Sequence, residues 1–297
     1  MKLYYAVGGG LGHLSRAIAF IHSHPLLSPE NTVVMVAERE MYTLQKTSFA
    51  SKEWAAMPTA MIPTALFEET GRLSEWLQSW LRQHQPNDVF LDTFPAGIAG
   101  EWNHIPVSSC RFHYTGRYLN WPAYRFSAKL MFETAYRVEE WHSGQETFLQ
   151  QHARECADLD LSYPPAALNT NVREQVCNYR QGSNEVWAII HSEPAEEVEA
   201  LLSYARDMAV QEAKSPRFLL CSSLPFPEEE DVLPLQLFPA YGLFPHVDRI
   251  ITACGFNLIQ QAAPFRNKHI CMPFPRRYDD QFARFKKWKA KNLLPLP

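Results

Sequence analysis

Residues 8 to 13 read Gly-Gly-Gly-Leu-Gly-His, and four of the chain's 12 glycines fall within five positions there. Glycines let a backbone approach a ligand closely, and a helix starting at such a loop offers free N–H groups and the positive end of its dipole. The dinucleotide pattern GxGxxG does not fit, because Ser15 stands where its last glycine belongs. No Gly-Lys-Ser/Thr follows, which excludes a P-loop. What the spacing does provide is an imidazole, His13, at the helix start, suited to taking a proton from a hydroxyl near neutral pH. Such a base needs an orienting partner. Asp92 closes the run Val89-Phe90-Leu91 and is expected at the same carboxyl edge of a parallel sheet. Taken alone, it reads equally well as a helix N-cap for the segment after Pro95.

A second cluster lies near the end of the chain. In Thr252-Ala253-Cys254-Gly255-Phe256-Asn257 a strand runs into a helix, and Gly255 and Asn257 suit a diphosphate. The next apolar run leads to Arg276, Arg277, Tyr278, Asp279, Asp280 and Gln281. Asp280 and Gln281 set a carboxylate beside an amide, equipment for sugar hydroxyls, while the arginines could meet phosphate charge. Singly, each reads as a surface turn followed by a helix cap. The order strand, glycine-helix, strand, Arg-Arg-x-Asp-Asp-Gln is more specific.

The elements that must position these groups alternate. Strands are expected over 3–7, 32–37, 88–94 and 105–110, with helices over 14–22 and 71–83. The grammar restarts after residue 164, with strands over 186–191, 217–222, 249–253 and 269–274 and a helix over 196–210. Alternation of this kind implies α/β architecture with parallel sheets covered by helices. Tyr163-Pro164-Pro165 and the polar stretch 166–185 read as a linker or domain edge, dividing the chain into domains 1–163 and 164–297. A length of 297 residues suits two domains.

Composition narrows the class. With 46% hydrophobic residues, 20% charged residues and a net charge of -4, the chain is neither disordered nor a polyanion binder, so no nucleic-acid partner is expected. The first part holds 13 basic against 17 acidic residues, and the second 15 of each. None of the six cysteines forms a CxxC pair or a metal-ligand spacing, which suits a reduced cytoplasmic protein without a metal. The N-terminal apolar run breaks into glycine within five residues and reads as a core strand rather than a leader. No run reaches the roughly 18 residues of a membrane span. The basic run Arg284 to Lys291 reads as a solvated helix face, with attraction to an anionic membrane surface as the sharper alternative. Nine aromatics between Phe112 and Trp141 read as core packing, with stacking faces for an acceptor as the second reading.

On Gly8–His13, Cys254-Gly255-Phe256-Asn257 and Asp280-Gln281, the chain resembles the GT-B-fold glycosyltransferases. It is similar in particular to the UDP-glycosyltransferases and the peptidoglycan N-acetylglucosaminyltransferases. The resemblance implies two Rossmann-like domains facing a cleft, the first mainly for the acceptor and the second mainly for the nucleotide sugar. It implies an inverting, metal-independent transfer with no cofactor beyond the co-substrate. His13 would be the general base and Asp92 its orienting partner, with Gly9, Gly10 and Gly12 on the acceptor side. Gly255, Phe256, Asn257, Gln261, Arg276, Arg277, Asp280 and Gln281 would hold the donor, a UDP-sugar. The partners implied are that donor and a hydroxyl acceptor, with a lipid-linked or cell-envelope glycan among the alternatives and peripheral contact with the inner membrane face. Two positions depart from the pattern: Gln261 replaces a ribose-binding glutamate, and His191-Ser192-Glu193-Pro194 replaces a Gly-Ser turn. A nucleotide-sugar epimerase or hydrolase, and a non-catalytic sugar-nucleotide-binding protein, therefore stay open.

Overall fold

The computed structural model describes residues 1–45, 48–49, 57–106, 110–181, 185–192 and 194–293. The chain divides into two compact units. One comprises Met1–Tyr42, Glu53–Pro164 and Arg277–Asp280; the other comprises Thr43–Lys52, Pro165–Arg276 and Gln281–Pro297.

The first unit is built on strands β1 (Lys2–Tyr5), β2 (Thr32–Ala37), β4 (Thr59–Ile62), β5 (Asp88–Asp92), β6 (Arg111–Gly116), β7 (Phe132–Arg137) and β8 (Ala153–Asp158). They form one sheet in the order β4-β2-β1-β5-β6-β7-β8, and every pairing is parallel. Helices α1 (Leu11–Ser23), α2 (Glu38–Gln45), α3 (Thr70–His84) and α4 (Ser143–His152) belong to the same half of the chain. Strands covered on both faces should be apolar throughout, and the interior of β1, β2 and β5 is buried accordingly. One core cluster joins Leu3, Tyr5, Met35, Val89 and Leu91 to Leu73 and Leu77 of α3.

The second unit carries β9 (Val186–Ile190), β10 (Arg217–Cys221), β11 (Val232–Leu235), β13 (Arg249–Ala253) and β14 (His269–Met272), in the order β11-β10-β9-β13-β14 and again all parallel. A two-stranded pairing joins β3 (Ser48–Phe49) to β12 (Leu237–Phe238). The helices are α5 (Thr170–Arg180), α6 (Ala195–Gln211), α7 (Phe256–Gln261) and α8 (Gln281–Leu293). Val198, Leu201, Leu202 and Ala205 bury one face of α6 against Trp187, Ile189 and Phe218 of the sheet.

Both sheets reverse strand order beside their first strand, between β1 and β5 in one unit and between β9 and β13 in the other. Open parallel sheets bind ligands outside the carboxyl ends of the strands at such a point.

Several expectations are corrected. Of the strand expected over 105–110, residues 107–109 lie outside the described residues; Ile105 is not in a strand, and the strand starts at Arg111. The stretch 166–185 is not a bare linker. It contains α5, whose Asn169 side chain accepts the Val172 N–H at 2.9 Å and whose Val172 and Val176 are buried one turn apart. The basic run does form a helix, α8, but Arg284 is buried and donates to the Cys254 carbonyl at 2.9 Å rather than facing solvent. Among the described residues, no helix is long and apolar enough to cross a membrane.

Candidate active site

In the first unit, β1 leads through Gly8–Gly10 into α1, which presents His13 and, one turn on, Arg16. At the neighbouring strand end stands Asp92. His13 Nδ1 lies 2.5 Å from Asp92 Oδ2. Arg16 donates to both carboxylate oxygens, from Nε at 2.7 Å and from Nη2 at 2.6 Å, and Nη2 also reaches the Thr93 hydroxyl at 2.9 Å. Tyr4 OH completes the shell at 3.2 Å from Asp92 Oδ1. Asp92 is therefore the partner of His13 rather than a helix cap.

The electrostatics follow from burial and from Arg16. Burial alone would push Asp92 up, but the Arg16 guanidinium and then His13 outweigh it and hold the carboxyl well below its usual range. Burial works against the charge on Arg16 as well, and Asp92 more than restores it. His13 is pushed below 6.5 by burial, against the pull of Asp92, and Arg16 and Arg117 push it further down. At neutral pH the triad thus holds an ionised carboxylate, a guanidinium and a neutral imidazole. An ionised carboxylate only accepts, so Nδ1 carries the proton and Nε2 keeps its lone pair.

Two glycines are needed for local reasons. A Cβ on Gly8 would stand 1.7 Å from His13 Nε2, so the imidazole rests where any side chain at position 8 would be. Gly10, at the α1 N-cap, has φ 108, a conformation that side chains other than hydrogen rarely adopt. Its N–H donates to the buried Glu40 carboxylate at 3.3 Å. Glu40 therefore already supplies the anion that the α1 N-terminus favours.

Thr93, directly after Asp92, has φ 67, rare for a β-branched residue. Three bonds hold it there: its N–H to Thr115 O at 2.8 Å, its carbonyl from Tyr114 OH at 2.6 Å, and its hydroxyl from Arg16. Phe94 then turns its ring onto His13, with centroids 5.7 Å apart. Tyr124, Trp121 and Phe126 cluster around Phe94, while Phe112, Tyr114, Phe132 and Trp141 enter the main core.

In the second unit, Gly255 is the N-cap of the six-residue α7, followed by buried Phe256 and half-buried Asn257 and Gln261. Gly255 has an ordinary φ of -67, and a Cβ there would meet nothing within 4 Å. Arg276 forms a two-toothed ion pair with Glu197 of α6, and Glu197 also meets His191 Nε2 at 2.7 Å. The Gln281 side-chain oxygen accepts the Phe274 N–H at 3.0 Å, tying β14's exit to the start of α8. Arg277 and Asp280 belong to the first unit, where the segment between them is held by Asn120 contacts to the Arg277 and Tyr278 carbonyls and by Arg117–Asp279 at 2.9 Å. Glu193 lies outside the described residues. Among those residues, no three His, Cys, Asp or Glu side chains converge as metal ligands would.

Sequence reasoning paired His13 with Asp92 and singled out the loop from Gly8, but gave Gly8 no contact with the ring and passed over Arg16, Thr93 and Tyr4. The signal for Arg16 was present in its i,i+3 spacing from His13 on one helix face. Thr93's backbone leaves no mark in composition.

No family model and no curated protein matches this sequence. Solved structures do. The spinosyn forosaminyltransferase SpnP is similar with a TM-score of 0.58 at 10% identity, over 98% of this chain and 83% of that one. Arabidopsis thaliana UGT89C1, complexed with UDP, also scores 0.58 at 12% identity, over 96% and 82%. The UDP-GlcNAc 2-epimerase from Neisseria meningitidis, bound to UDP-GlcNAc, scores 0.57 at 10% identity, over 98% and 85%. The chain has the GT-B fold that these transferases and epimerases share.

Proposed function

We propose that the chain is a nucleotide-sugar-dependent glycosyltransferase that moves a sugar from a UDP-sugar to an acceptor hydroxyl, with inversion and without a metal. The observation that carries this reading is the neutral His13 imidazole, bonded to Asp92 through Nδ1 and left with a basic Nε2 at the carboxyl edge of the sheet. In the reaction, Nε2 takes the acceptor hydroxyl's proton as its oxygen bonds to the anomeric carbon. The bond from that carbon to the diphosphate breaks, and the nucleoside diphosphate leaves with the electron pair. Asp92 keeps the ring in the required tautomer and stabilises the imidazolium.

Residues 1–163 would bind mainly the acceptor, along the loop of Gly9, Gly10 and Gly12, and residues 164–297 mainly the donor. Gly255, Phe256 and Asn257 would meet the diphosphate. The open space at Gly255 supports this, since nothing in the fold itself requires glycine there. Gln261 would bind ribose, and Asp280 and Gln281 the donor sugar. Arg276 and Arg277 would assist at the phosphates, Arg276 only after exchanging its Glu197 partner.

A test is UDP release from UDP-glucose and UDP-N-acetylglucosamine, with and without acceptors, by wild type and His13→Ala. Loss of about 10²–10⁴ in rate is expected on removing a general base; normal turnover in the variant would remove His13 from that role. A 2-epimerase or hydrolase is the second reading, supported by the full-length likeness to the Neisseria enzyme. It predicts an epimerised or hydrolysed product from UDP-N-acetylglucosamine with no acceptor present.

A further inference from the structure

Three consecutive glycines each face a different side chain. Gly8 lies against the His13 ring, a Cβ on Gly9 would come no nearer than 3.9 Å to the Arg39 guanidinium, and Gly10 donates to Glu40. Arg39 and Glu40 lie in the first turn of α2, which follows β2, the sheet neighbour of β1, so they stand at the same carboxyl edge as His13. The Glu40 side chain is 6% exposed, and its two oxygens are unequally served. Oε1 takes the Gly10 N–H at 3.3 Å and Arg39 Nε at 3.3 Å. Oε2 is buried and accepts no hydrogen bond among the described residues.

Capping of α1 accounts for Oε1 but not for Oε2. A buried carboxylate oxygen without a donor is uncommon in a native fold and points to a group that arrives from outside. Consecutive Cα atoms stand about 3.8 Å apart, so Gly8 and Gly10 are separated by no more than about 7.6 Å. The His13 ring and the Glu40 carboxylate thus flank one three-residue stretch of backbone.

We propose that Glu40 determines acceptor specificity: Oε2 accepts a hydrogen bond from a second hydroxyl, or an amine, of an acceptor whose reacting hydroxyl lies at His13 Nε2. The acceptor class is then polyhydroxylated, a sugar or cyclitol, rather than an apolar phenol. The proposal rests on the transferase reading for the role of His13, while binding at Glu40 can be measured apart from any turnover.

Full-length wild type, Glu40→Gln and Glu40→Asp are compared by calorimetry in the presence of UDP. The probes are myo-inositol and glucosamine, with 4-nitrophenol as the apolar control. UDP release from UDP-glucose is then followed with the same three acceptors. Glu40→Gln keeps the shape of the side chain and should weaken polyol binding at least tenfold more than 4-nitrophenol binding, through KM rather than kcat. Glu40→Asp, which keeps the charge, should recover part of the loss. No polyol binding by wild type, or equal polyol affinity in wild type and Glu40→Gln, would overturn the assignment. The two readings fail differently. Glu40-dependent polyol binding without UDP release keeps the subsite and removes the transfer; His13-dependent release with no Glu40 dependence keeps the transfer and removes the subsite.

Discussion

Arg16 changes what the His13–Asp92 pair can do. A lone carboxylate beside an imidazole raises its pKa; here the same carboxylate is neutralised by a guanidinium on both oxygens, and burial prevails. The pKa of His13 therefore lies below 6.5. Since the base works only unprotonated, the acidic limb of kcat/KM is expected below pH 6.5. In Arg16→Met, Asp92 loses its guanidinium and keeps His13, the imidazolium gains stability, and that limb should move to higher pH. An unmoved limb would show that Arg16 does not set the titration. Asp92→Ala should be costly in a different way, because it strands a buried guanidinium: removing one partner of a buried pair destabilises by about 3–5 kcal/mol. Urea titration of the variant checks this, and a loss within error would contradict the assigned pairing.

At the scale of elements, the decisive features are strand ends and the turns that leave them. Gly8 and Gly255 occupy corresponding kinds of position, a glycine where a parallel strand hands over to a helix, yet for opposite reasons. The Gly8 site is filled by the protein's own His13 ring, whereas the Gly255 site is open. Gly8→Ala should therefore displace the imidazole and lower turnover about as far as His13→Ala. Gly255→Ala should leave the melting temperature unchanged or slightly raised, since alanine at a compatible position contributes about 0.4–1 kcal/mol through the unfolded state. If a diphosphate approaches that backbone, the same substitution weakens UDP binding. A calorimetric Kd equal to wild type would remove Gly255 from the donor site. The two turns look alike in the sequence, and only the contact of residue 8 with residue 13 separates them.

At the scale of the whole molecule, burial of neutral histidines ties stability to pH. His24 and His269 are both lowered from 6.5 to about 4 by burial, with Lys2 and His113 adding to the effect at His24. Their folded-state values lie below the unfolded one, so between about pH 6.5 and 4 the unfolded chain binds more protons. Stability is fully present above that window and is lost as pH falls through it. For well-buried His269 the loss is on the order of 3 kcal/mol. Melting temperatures across this window should fall steadily, and His269→Gln should flatten the fall. A flat wild-type profile would contradict it.

The same scale shows what was legible beforehand. Strands buried on both faces, such as β2 from Val33 and Val186–Ile190, announce themselves as unbroken apolar runs, and the alternation with helices carries the two-sheet plan. The outer strands β7 and β8 mix charged and polar residues with apolar ones because they are only partly covered, and they went unread. Helix α5 buries just Val172 and Val176 on a polar background. The His13–Asp92 pair was readable because topology brings both strand ends to one edge. Glu40 was not, because its neighbour is a backbone N–H.

The most direct test of the central claim pairs donor binding with turnover in one variant. UDP-sugar affinity by calorimetry and acceptor-dependent UDP release are measured for wild type and His13→Ala. Binding that persists in the variant, with release reduced about 10²–10⁴-fold, is the predicted result. Equal release by both proteins, or donor binding by wild type with no release across sugar, cyclitol and phenol acceptors, would contradict it.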